Sequence, residues 1–183
     1  MKYILGILVV FLFWNCEEKK EEGVNYVYQG PLMTTENLSV MYSDSGNVKV
    51  KMNTAKQLKM QNEDEIYPKA IYVNFIDKNG VEYSSLRGDS ARFFKAEQYY
   101  KIMGNVFFFN RLQQQSLSTT ELIWSPVKRR IYTTKSVSIK TPTEEVRGVG
   151  LDADQDFTKY TIRKPTGVFA IDSVAMGSDT TRF

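Results

Sequence analysis

The sequence has 183 residues, with 24 Lys and Arg against 21 Asp and Glu, one Cys and no His; that length suggests one domain, and so balanced a charge argues against a dedicated nucleic-acid binder. Without imidazole and with a single thiol there is no Ser-His-Asp triad, Cys-His dyad, intramolecular disulfide, or imidazole or thiolate-cluster metal site, which leaves carboxylates, Lys or Tyr for any acid–base chemistry. No stretch reads G-x-x-x-x-G-K-[ST] or G-x-G-x-x-G, so work in an energised process would draw its energy from a partner.

The chain opens with Met1 and Lys2, an apolar run from Tyr3 to Trp14, then Asn15 and Cys16. Twelve residues of helix rise only about 18 Å, short of the ~30 Å hydrocarbon core, so residues 1–15 read as a signal peptide. Its loss removes one cation, Lys2. Cys16 stands where a bacterial lipoprotein carries its acylated cysteine; the alternative is an ordinary secretory signal with an incidental cysteine. Residues 16–36 form a lipidated cysteine and tether. The tether is charged over Glu17–Glu22 and then broken by Gly23, Gly30 and Pro31. Two or more acyl chains would anchor it stably. The expected location is the periplasm, lipid-anchored, at the inner membrane, with the outer membrane as the alternative.

From residue 37 onward period-2 alternation replaces any helical period. Val48, Val50 and Met52 alternate with Lys49 and Lys51, which would send the ammonium groups outward; Ile71, Val73 and Phe75 repeat the pattern. Asp44-Ser45-Gly46 and Asn79-Gly80 have hairpin-turn chemistry. Arg87-Gly88-Asp89 and Gly104-Asn105 read as further turns. Residues 37–175 are therefore expected to be one antiparallel all-β domain, followed by a tail over 176–183.

An ungapped match at an offset of 31 residues pairs Leu86 with Leu117, Ala91 with Leu122, Phe93 with Trp124, Tyr100 with Ile131, Val106 with Val137 and Phe108 with Ile139. Each copy reads as a strand, a turn and a returning strand, and a third would begin near Val149-Gly150-Leu151. One hairpin cannot bury its apolar face alone, so the copies should stack. Val106-Phe107-Phe108-Phe109 is apolar on both faces, so Phe107 and Phe109 cover a second surface or meet a partner.

The stretch from Leu117 to Pro126, then Ile131-Tyr-Thr-Thr, Val137-Ser-Ile and Gly148-Val-Gly-Leu-Asp-Ala-Asp, resembles the L-x-T-x-x-L-x-aromatic, I-x-T and V-x-I strands and the G-x-G-L turn of the lipopolysaccharide export protein C (LptC) family of OstA-like periplasmic bridge proteins. Leu86-Arg-Gly-Asp-Ser-Ala and Gly104-Asn-Val resemble that family's first copy. The resemblance implies two facing antiparallel sheets in an open twisted half-jellyroll with an apolar groove. It also implies non-enzymatic lipopolysaccharide transport, with an inner-membrane ABC transporter supplying lipopolysaccharide and a soluble periplasmic bridge protein downstream. Well-studied members carry a transmembrane helix where this chain has its expected lipid anchor.

On that reading Val73, Phe75, Phe93, Phe108, Leu122, Trp124, Ile131, Val137 and Ile139 line the lipid groove; as strand faces alone they read first as packed core, and it is the resemblance that turns them to the groove. Gly148 and Gly150 mark unusual φ or close strand approach, and the resemblance adds a place in the partner-bearing half. Tyr160, Thr161 and Ile162, on the alternating stretch Thr158 to Lys164, would form an edge strand that pairs with the next protein. A generic lipid-binding or structural lipoprotein in a closed β-barrel would have no such edge. Asp152, Asp154 and Asp156 alternate, but Phe157 and Arg163 stand where an EF-hand needs Gly and Glu, so no metal is expected. No cofactor is expected. Lys128, Arg129 and Arg130 form either a solvated turn or a phosphate contact.

Overall fold

The computed structural model describes residues 28–170. The signal peptide, Cys16, the tether up to residue 27 and the tail over 176–183 lie outside these residues. Within them the regular structure is entirely β: β1 (Met33–Asp44), β2 (Asn47–Lys59), β3 (Glu65–Tyr67), β4 (Ile71–Ile76), β5 (Glu82–Gly88), β6 (Ser90–Phe94), β7 (Tyr99–Asn110), β8 (Gln115–Ser125), β9 (Arg130–Lys140), β10 (Glu144–Asp154) and β11 (Tyr160–Ala170). β1 begins ahead of the boundary expected at residue 37.

All pairings are antiparallel and belong to one sheet. β3 and β4 both pair with β2, and β5 and β6 both pair with β7, so each couple is one strand with an interruption. Counted that way the chain is an up-and-down meander from β1 to β11. Its hairpins include the expected turns at Asp44-Ser45-Gly46 and Asn79-Gly80. In the second, the Asp77 carboxylate accepts from the backbone N–H groups of Asn79 and Val81 at 2.8 and 2.9 Å. Among the described residues β1 pairs only with β2 and β11 only with β10. The sheet is open, and the closed barrel is ruled out.

The 31-residue repeat is one hairpin long, and its partners fall in common cross-strand rows. One row runs Leu86, Phe108, Leu117, Ile139; another runs Phe93, Tyr100, Trp124, Ile131. Each repeat pair therefore sits two strands apart at the same level. The third hairpin, β10–β11, starts at Glu144 rather than near Val149.

Two expected turns prove to be bulges. At Asp89 the chain does not reverse; its N–H donates to the carbonyls of Met103 and Gly104 at 3.0 and 2.9 Å, which keeps β5 and β6 alongside β7. Gly104 and Asn105 take left-handed φ of 72° and 42° inside β7, with the Asn105 amide donating to Asp89 at 2.7 Å. Gly148 and Gly150 likewise lie within β10 and not in a turn. Register shifts follow between Thr119 and Ile123, between Val149 and Leu151, and between Arg147 and Gly148. A two-residue loop and a bulge call for the same residues, because both need left-handed backbone.

This line of irregularities is a crease across the sheet. Along β8, Gln115 shares a cross-strand row with Phe75, and Trp124 lies nine residues further on. An extended strand separates such positions by about 30 Å, yet the Phe75 and Trp124 rings meet edge-on at 5.4 Å. The two expected sheets are the facing halves of one folded sheet. Between them lies a single core containing Val73, Phe75, Leu86, Ile102, Phe108, Leu117, Leu122, Ile131, Ile139 and Leu151.

Candidate functional site: the cavity between the halves and the open edges

Folding over brings opposite ends of the strands together. The loops closing β1–β2, β4–β5 and β7–β8 come from one end; those closing β6–β7, β8–β9 and β10–β11 come from the other. Both sets surround one cavity of about 820 Å³. Its walls include Val40, Tyr42, Val50, Met52, Ile76, Phe93, Tyr100 and Trp124, and charge is confined to Asp44, Lys49, Asp77, Arg129 and Asp156. Tyr100 stacks on Trp124 at 5.0 Å and packs against Phe93 at 4.6 Å. Burial, with the Glu65 carboxylate in addition, pushes the Tyr100 phenol up to about 12, so this aromatic wall is uncharged at neutral pH. An apolar interior with a polar rim suits the tails of an amphiphile.

The β10–β11 loop braces the cavity. The Asp156 carboxylate accepts from the Tyr83 phenol at 2.7 Å, its carbonyl accepts from the Asn110 amide at 2.7 Å, and Arg129 pairs with it at 3.3 Å. Gln155 accepts from the Trp124 indole at 3.0 Å. Phe157, at a left-handed φ of 55°, is fully buried and packs on Phe108 and Tyr160. The sequence gives little sign of this role, because Phe157 stands in a polar stretch.

Of the nine expected groove residues, Phe93 and Trp124 line the cavity. Val73, Phe75, Phe108, Leu122, Ile131, Val137 and Ile139 are buried core beneath it. Val40, Tyr42 and Met52, on the other half, complete the walls. Lys49, expected outward with Lys51, lies on the rim, next to the β1–β2 bulge at Tyr42/Ser43. The cluster Lys128-Arg129-Arg130 is largely neutralised, since Arg129 holds Asp156 and Arg130 holds Asp152. Asp154 accepts from the N–H and hydroxyl of Thr158, so Asp154 and Asp156 serve this loop while Asp152 pairs across to β9.

Among the expected partner residues, Tyr160, Thr161 and Ile162 lie on β11, which starts at Tyr160, so Thr158 belongs to the loop. Tyr160 stacks on Phe157, Ile162 packs against the core, and Thr161 is exposed. Gly150 has φ of 80°, and a Cβ on Gly148 would come within 2.7 Å of the Lys164 carbonyl oxygen. The glycines thus let β11 approach β10 closely.

The sequence pattern of the family described as "Lipopolysaccharide-assembly, LptC-related" matches residues 3–164. The chain belongs to that family. A search of curated proteins returns no match. Membership of the LptC family makes the protein an envelope component of lipopolysaccharide transport, and the open, creased all-β sheet agrees with the half-jellyroll that the resemblance implies. Among the described residues no helix is long and apolar enough to cross a membrane.

Proposed function

We propose that the protein is a non-enzymatic periplasmic bridge, held at the inner membrane by acylated Cys16, that takes lipopolysaccharide from an ABC transporter and passes it to a soluble β protein. The observation that carries the reading is the apolar cavity of about 820 Å³ between the halves of a sheet with two open edges. Acyl chains lie against Met52, Phe93, Tyr100 and Trp124, while the sugar phosphates stay at the loops, where water and charge are available. Gly148, Gly150, Tyr160, Thr161 and Ile162 form or support the edge that meets the downstream protein, by strand addition.

A photo-crosslinking side chain at Phe93 tests this in cells. Capture of lipopolysaccharide at Phe93 and not at the outward-facing Lys51 is the expected result. Equal capture at both positions, or capture at neither in a folded protein, would overturn it.

A further inference from the structure

A second concavity, of about 650 Å³, runs across the strands along the crease. Arg87, Phe107, Ser118, Ser138 and Arg147 form one cross-strand row through it. They alternate along their strands with Leu86, Phe108, Leu117 and Ile139, so their side chains leave the sheet on the face turned away from the core. The trough and the lipid cavity are on opposite faces.

The charge of the two sites differs in kind. Asp44, Asp77 and Asp156 border the cavity, whereas among the described residues two guanidiniums and no carboxylate line the trough, the Glu145 carboxylate lying beside it on Ser138 and Arg147. Arg87 has no ion-pair partner among the described residues. Arg147 engages Glu145 through Nε at 2.7 Å, which leaves its two terminal nitrogens for another acceptor. Between the arginines the exposed hydroxyls of Ser118, Thr120 and Ser136, and beyond Arg147 that of Thr166 on β11, have no protein partner among the described residues. A hydroxyl both donates and accepts, as a sugar hydroxyl does, and guanidinium grips phosphate bidentately.

We propose that this trough binds a phosphate-bearing oligosaccharide, with Arg87 and Arg147 holding phosphates and the serine and threonine row holding sugar hydroxyls. Four strand spacings separate the two arginines, about 19 Å along the sheet. One free phosphate cannot reach both, so the ligand is extended. Single-stranded nucleic acid needs an aromatic platform for successive bases, and the trough offers Phe107 alone. The site does not depend on the lipid reading, because its ligand needs no acyl chain.

The test is calorimetric titration of the full mature chain with fully deacylated, phosphorylated lipopolysaccharide core oligosaccharide. Arg87→Gln and Arg147→Gln should each weaken binding at least tenfold at unchanged melting temperature, and removal of the probe's phosphates should do the same. Arg87 alone decides the matter if the Arg147 variant loses stability with its Glu145 contact. Lipid capture at Phe93 should be the same in the Arg87 variant as in the wild type, which separates failure here from failure of the cavity reading. No binding by the wild type, equal binding of the dephosphorylated probe, or equal competition by a single-stranded oligonucleotide would each overturn the proposal.

Discussion

The phenol of Tyr83, at the start of β5, donates at 2.7 Å to the carboxylate of Asp156 in the β10–β11 loop, joining loops from opposite ends of the strands across the cavity mouth. Burial, and then the carboxylate itself, holds the phenol's pKa well above its ordinary value, so the donor keeps its proton throughout the physiological range. Tyr83→Phe keeps the ring and removes the donor. The expected loss is about 1.5 kcal/mol, the scale of a hydrogen bond to a charged group at a partly exposed site, read from urea unfolding.

Acid should weaken the β3–β6 corner. Asp64 accepts from the Lys95 backbone N–H at 3.0 Å and from Arg92 at 2.7 Å, and these contacts, the backbone N–H foremost, hold its carboxyl below the ordinary 3.8. The unfolded chain therefore takes up this proton at higher pH than the folded chain. The stabilisation is complete above the ordinary carboxylate range and is lost as pH falls through the folded value. Asp64→Asn should lower the melting temperature at pH 7 and flatten its fall below about pH 4; parallel acid limbs for variant and wild type would exclude this.

At the C-terminal edge Thr161 lies opposite Asp152 and Tyr160 opposite Ala153. The Asp154 N–H donates to the Lys159 carbonyl at 3.1 Å, whereas the Gln155 N–H donates to Arg129 on the β9 side. Alternate residues of a strand send their N–H groups to the same side, so the Thr161 N–H is a donor in the β10–β11 ladder and the Ile162 N–H faces the open edge. Thr161→Pro should therefore cost about 1 kcal/mol or more, read from urea unfolding. Ile162→Pro should abolish association with the downstream protein, and Ile162→Ala, which trims the side chain and keeps the N–H, separates lost pairing from lost packing. Retained association by folded Ile162→Pro protein would remove this edge from the bridge.

Metabolic labelling with a fatty-acid analogue should mark the wild type and leave Cys16→Ser unlabelled, since Cys16 is the chain's one thiol. Equal labelling of both would sink the lipid anchor and restore an ordinary secretory signal.

The faces of the strands were legible in the sequence wherever alternation was strict. Val73 and Phe75 on β4 and Val137 and Ile139 on β9 are buried as expected, because a period of two leaves each side chain only one of two faces. The hairpin length was legible too, since rows of Leu86 with Leu117 and Phe93 with Trp124 require equal spacing. Gly104-Asn105 was misread, because left-handed backbone serves a bulge as well as a turn, and local chemistry cannot tell whether the strand goes on.

By itself the sequence determined the all-β class, the inward set of the strictly alternating strands, the family and the absence of imidazole chemistry. Only the tertiary structure decided which inward residues are core and which line space. Phe108 and Trp124 both face inward from their strands, but the crease places Phe108 under Phe157 and leaves Trp124 facing the cavity. That difference depends on where the bulges of neighbouring strands align, and so on contacts between hairpins far apart in the chain that no local period encodes.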